Sequence, residues 1–122
     1  MKKEMFSTEI SILRDTFRRL LRRHAKTNII KLIDKTHPAD MALIFRYFND
    51  SEQDTVFAMM RPSEKTVEFL NELDEAITIR IVENETPSRI AEILEEASSN
   101  EQAYLMGLVE ETYAASVIDL FK

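Results

Sequence analysis

The spacing of apolar side chains divides the chain into short segments of helical period. Residues 38–48 put Met41, Ala42, Ile44, Phe45 and Phe48 on one wide face, and residues 87–94 do the same with Ile90, Ala91, Ile93 and Leu94. Each segment opens with a proline behind a polar residue, so that HPADMALIFRYF at 37–48 returns as TPSRIAEILEEA at 86–97. A shift of 49 residues lays Pro38 on Pro87, Ala42 on Ala91 and Ile44 on Ile93, and carries Glu52 and Gln53 onto Glu101 and Gln102. Under the same shift Met41, Phe45 and Val56 meet Ile90, Leu94 and Leu105, which keeps the apolar character where identity is lost. In the next segment the register is expected to slip to 48, matching Val67, Phe69, Leu70 and Leu73 with Ala115, Val117, Ile118 and Phe121. The unit is thus four short helices in about 49 residues, with a second copy cut off after three.

Boundaries follow from capping chemistry. His37, Ser51, Ser63, Asp74, Thr86 and Asn100 are the expected N-caps, since a side-chain acceptor there satisfies an orphan N–H of the first turn. Ser51 followed by Asp54 is a near relative of the capping box, and Pro38 and Pro87 stand at first helical positions, where the missing N–H costs nothing. Helices this short are marginal alone, so their apolar faces must be covered by neighbouring helices. The expected fold is all-α, an α-superhelix of about nine short helices in pairs, solenoid-like in the armadillo or HEAT manner. Residues 27–122 form that superhelix, with copies at 37–85 and 86–122. Ile44 and Ile93 are expected core.

Residues 1–26 read differently. Phe6, Ile10, Leu13, Phe17, Leu20 and Leu21 fall in steps of four, three, four, three and one and cover an arc of about 100°. Arg14, Arg18, Arg19, Arg22, Arg23 and Lys26 cover the other side. This is a basic amphipathic helix, the one long helix of the chain. Its apolar side must dock on the first repeat helices or pair with a second molecule, which would make a homodimer through the N-terminal helix.

Charge sharpens the division. Residues 1–36 carry 10 Lys and Arg against 4 Asp and Glu, whereas residues 37–122 carry 6 against 18. Arg14, Arg18 and Arg22 on the basic helix, and Glu92, Glu95 and Glu96 on the acidic part, are the candidate partner-binding residues. The expected partner is a protein surface or an anionic membrane face; no nucleic-acid partner is expected.

Composition removes most chemistry. The chain has 122 residues, no cysteine, one glycine and three prolines, so it has neither a thiolate nucleophile nor glycine-rich phosphate loops. The lack of cysteine fits a reducing cytoplasm. No signal peptide and no membrane-spanning stretch is read, since the longest apolar run is Met41 to Phe45. His24 and His37, the only histidines, form no metal-binding pair, and His37 is read as structural. NDSEQD at 49–54 alternates acids as a calcium loop does but lacks its central glycine and terminal glutamate, so it is read as a capped turn. No catalytic residues are assigned, and the protein is not expected to be an enzyme.

HPADMALIFRYF, a capped helix to Met60, KTVEFLNEL, PSRIAEILEEAS and a further capped helix together resemble the intracellular N-terminal domain of the MgtE magnesium transporter family, from about Asn28 to Val109. That resemblance implies a right-handed α-superhelix in the cytosol, a non-catalytic regulatory role, and gating by closure onto CBS domains when acidic interfaces bind magnesium. CBS domains and membrane helices are absent here, which implies an excised domain or a free-standing relative. Family members often carry acids at the helix that here begins SSNEQA, and Ser99, Asn100 and Ala103 stand where an aspartate would ligate the ion. Glu101 is the remaining candidate ligand, so no tightly bound cofactor is expected and Mg2+ at most weakly. HPADMALIF also resembles the HPQTIALIL phrase of the flagellar motor switch protein G family, and a general protein-binding helical adaptor is a third reading.

Overall fold

The protein is described by a computed structural model covering residues 2–121, with side chains from residue 8 onward; Phe6, assigned above to the apolar face of the first helix, lies outside the described side chains. Among the described residues there are nine α-helices and no strand. They are α1 (Lys2–Arg22), α2 (Lys26–Lys35), α3 (Pro38–Phe45), α4 (Asp50–Ala58), α5 (Glu64–Glu72), α6 (Glu75–Glu83), α7 (Pro87–Leu94), α8 (Ser99–Leu108) and α9 (Glu111–Ile118). They fall into two compact units, Met1–Met60 and Arg61–Lys122.

The repeat is written in the helix starts. α2 and α6 begin at Lys26 and Glu75, α3 and α7 at Pro38 and Pro87, α4 and α8 at Asp50 and Ser99, each pair 49 residues apart. The last turns of α1 stand in the place of α5, with Phe17 and Leu21 falling on Thr66 and Leu70. The unusual first helix is therefore also the opening helix of the first copy, extended by about three and a half turns toward its N-terminus at 3.6 residues per turn.

Caps explain why these segments start where they do. His37 Nδ1 accepts from the Ala39 N–H at 3.1 Å, Ser63 Oγ from Thr66 N–H at 3.2 Å and Thr86 Oγ1 from Arg89 N–H at 3.3 Å. Two expected caps move. The residue before α4 is Asn49, not Ser51, and the residue before α8 is Ser98, not Asn100. The reason is a reciprocal pair. The Glu52 N–H donates to Asn49 Oδ1 and the Asn49 N–H to Glu52 Oε1, both at 2.8 Å. At α8 the Ser98 N–H donates to Glu101 Oε1 at 2.8 Å and the Glu101 N–H to Ser98 Oγ at 3.2 Å. Ser51 with Asp54 cannot compete, because the side chain three residues after the cap must have the length of a glutamate or glutamine to reach back to the cap's own N–H. Asp74 holds the cap position of α6 without a side-chain capping bond.

The identity of Gln53 and Gln102 also has a structural cause. Gln53 Nε2 donates to the carbonyls of Phe45 (2.7 Å) and Phe48 (3.3 Å), and Gln102 Nε2 to those of Leu94 (2.9 Å) and Ala97 (3.3 Å). In each copy one amide serves the C-terminus of the preceding helix, adding a donor to the last helical carbonyl, which also accepts from the N–H three residues on, and bonding the carbonyl of the turn. The expected 48-residue slip of the third helix is corrected to 47. The positions preceding α5 and α9 are Ser63 and Glu110, and that offset lays buried Val67 and Leu70 on buried Ala114 and Val117. A slip of 48 would instead match buried Leu70 with Ile118, which is 52% exposed.

In the first unit α1 packs against α2 and α3. Phe17 is fully buried and meets Phe48 edge-on, with ring centroids 6.0 Å apart. Ile10 and Phe17 of the apolar side of α1 are thus buried within the chain, while Leu13, Leu20 and Leu21 are half-buried. His24, in the left-handed conformation at φ 55°, ends α1 and turns the chain into α2. In the second unit α5 packs on α7 and α8, and α9 on α7 and α8. Ile44 and Ile93 are both fully buried, as the repeat requires.

Candidate functional site

The basic helix does not present all its arginines to solvent. Arg18 Nε lies 3.3 Å from Glu52 Oε2 and its Nη2 3.4 Å from Glu52 Oε1, while Nη2 also donates to the Tyr47 carbonyl. Arg14 sits over the Tyr47 ring at 5.7 Å from its centroid and pairs with Asp15 at 3.1 Å. Arg19, Arg22 and Arg23 are exposed. An outward-facing row of arginines therefore holds for these three and not for Arg18, because the capping glutamate of α4 supplies a carboxylate within its reach. Of the candidate partner-binding residues, Arg14 and Arg18 are half-buried and engaged, Arg22 is exposed, and Glu92, Glu95 and Glu96 are all exposed. The arginines belong to the first unit and the glutamates to the second.

Glu101 has more structure around it than the sequence indicated. Its Oε1 is held by the Ser98 N–H, and its Oε2 accepts from Asn71 Nδ2 at 3.0 Å. Asn71 comes from the last turn of α5, so α8 and α5 are tied across the second unit by this bond. Asn71, Asn100, Glu101 and Tyr104 line an open groove of about 350 Å³. Asn71 Oδ1 is buried there without a hydrogen-bond partner; turning the amide over would set that oxygen against the Glu101 carboxylate, which fixes its orientation.

This groove does not suit a resident magnesium ion. Mg2+ demands an octahedron of hard oxygens, yet among the described residues Glu101 is the only carboxylate of the lining. Among the described residues no group of three or more His, Asp or Glu could hold a metal. Ser99, Asn100 and Ala103 are exposed around the first turn of α8.

One tyrosine is electrostatically unusual. Tyr113 O–H lies 2.7 Å from the Val82 carbonyl and 2.8 Å from that of Glu85. Burial, with Glu85 and Glu83 nearby, pushes its pKa up to about 12. It anchors α9 to the end of α6, a structural duty. His37 serves as a cap and His24 as a turn. Sequence reasoning missed Asn71 and Tyr104, which carry no motif. Gln53 and Gln102 were visible as an identity under the shift, but their bonds to carbonyls were not.

Among the described residues no helix is long and apolar enough to cross a membrane. No curated protein and no solved structure matches the chain significantly. The MgtE intracellular N domain profile, however, fits residues 36–122, a span running from the residue before His37–Pro38 through α3 to α9. With more than half of its length inside that match, this chain belongs to the MgtE intracellular N domain family.

Proposed function

We propose that the chain is a non-catalytic regulatory and interaction domain, acting on the cytosolic side of a MgtE-type magnesium transport system by contact with CBS domains or another protein surface. The observation that carries this reading is the family match over residues 36–122. The exposed carboxylates of Glu92, Glu95 and Glu96 on and just after α7 support it, since they offer a negative face to a partner across which divalent cations can gather. No tightly bound cofactor belongs to this reading. Mg2+ acts as a weak, salt-screened counterion of the acidic surface, with Glu101 contributing charge and no complete ligand set. Cytosolic placement follows from the family and from nothing else in the chain.

The test is calorimetric titration of this protein with the paired CBS domains of a MgtE-type transporter, with and without magnesium. Association that strengthens with magnesium and is lost when Glu95 and Glu96 are both changed to lysine is the expected result. Absence of association in either condition would remove the CBS reading and leave the general adaptor.

A further inference from the structure

The two copies of the repeat treat the same carboxylate differently. Glu52 and Glu101 are equivalent under the 49-residue shift and close the same reciprocal cap. In the first copy the carboxylate of Glu52 is covered by the guanidinium of Arg18, which also reaches the Tyr47 carbonyl. In the second copy the position matching Arg18 is Val67, buried in α5. Beyond the capping Ser98 N–H, the carboxylate of Glu101 then receives the amide of Asn71 Nδ2, where Glu52 receives a cation. Tyr47 has its counterpart in Glu96, whose carbonyl accepts no hydrogen bond among the described residues.

We infer that the groove of Asn71, Asn100, Glu101 and Tyr104 is a seat for an arginine side chain carried by another protein. The first copy displays the chemistry: a guanidinium pairs with the capping glutamate, and a second one stacks on a tyrosine ring, as Arg14 does on Tyr47. In the groove Glu101 and Tyr104 stand three residues apart on one face of α8, and Tyr104 is 38% exposed. That spacing sets a carboxylate and an aromatic face side by side, which suits a planar cation better than an ammonium. The charge is complementary as well: residues 61–121 hold 4 Lys and Arg against 14 Asp and Glu. The groove, about 350 Å³, lies at the small end of the range of ligand pockets, with room for one side chain. This site does not depend on the CBS contact.

The experiment is a nuclear magnetic resonance titration of the isotope-labelled protein with N-acetyl-arginine amide, and in parallel with N-acetyl-lysine amide and magnesium chloride. The arginine probe is expected to give saturable shifts at the side-chain amides of Asn71 and Asn100 and at the backbone of Glu101 and Tyr104. Glu101→Gln keeps the cap, because glutamine also serves at that position, and should weaken arginine binding about fivefold or more. Tyr104→Leu should weaken it by a smaller factor. Arg18→Ala should open a second arginine site at Glu52 and be restabilised by the probe. Non-saturating shifts, or shifts unchanged in Glu101→Gln, would overturn the assignment. Magnesium producing the same shifts at lower concentration would overturn it in favour of a hydrated cation. Self-association of the protein that is lost in Glu101→Gln would do so in favour of a second copy.

Discussion

Gln53 offers the sharpest test of how the repeat is held together. It is 5% exposed, and its amide is the donor for two carbonyls at the end of α3 and the turn that follows. Gln53→Leu keeps most of the volume and removes both bonds. The Phe48 carbonyl then loses its donor in a place water reaches poorly, while the Phe45 carbonyl keeps the Phe48 N–H at 3.3 Å. One unsatisfied buried group costs ~1–3 kcal/mol. The Phe45 bond, at 2.7 Å, is the shorter of the two, and its loss adds to that of the Phe48 carbonyl's donor. A cost of about 2 kcal/mol is therefore expected, equivalent to lowering a urea midpoint by about 1 M for a slope near 2 kcal/mol/M. Gln102→Leu breaks the equivalent pair in the second copy, but Gln102 is only half-buried and water can replace part of what is lost. Its cost should be about half as large. Because the two residues belong to different units, amide hydrogen exchange resolved by segment is the better assay. Gln53→Leu should raise exchange in α3 and α4, and Gln102→Leu in α7 and α8. Wild-type stability in Gln53→Leu, or a larger effect at Gln102, would refute the argument that burial sets the weight of these bonds.

The other expectations concern charge. Arg18→Glu should destabilise by ~1–2 kcal/mol, since it replaces a half-buried pair with two facing carboxylates. Arg22→Glu, on the exposed side of α1, should stay within about 0.5 kcal/mol in the same denaturation experiment; equal effects would mean that Arg18 is not engaged. Tyr113, with its pKa raised from 10.0 to about 12, holds its proton more tightly when folded. Its contribution to stability should therefore be whole below about pH 10 and decline as pH rises toward 12. In Tyr113→Phe the part of alkaline destabilisation that falls in this window should disappear, and an unchanged pH profile would count against the assignment.

The sequence by itself determined the class and the period. Helical spacing of apolar residues, prolines at first-turn positions and a 49-residue echo are local properties, and they survive whatever the helices pack against. They also carried the family resemblance, and they placed Ile44 and Ile93 in the core. Tertiary structure decided what depends on reach across space. The caps moved to Asn49 and Ser98 because a glutamate three residues on can bond back to the cap's N–H, and candidate caps two residues apart look alike in a sequence. The slip at the last helix became 47 because burial, not apolar character, defines equivalence, and Ile118 is apolar yet exposed. α1 appeared to be a separate basic helix because its charge hides its kinship with α5; the shared place in the fold shows that kinship. Arg18 and Asn71 turn toward the capping glutamates of their own copies. A side chain's direction on a half-exposed helix face is set by the partner it meets, and the partners here lie 34 and 30 residues away along the chain.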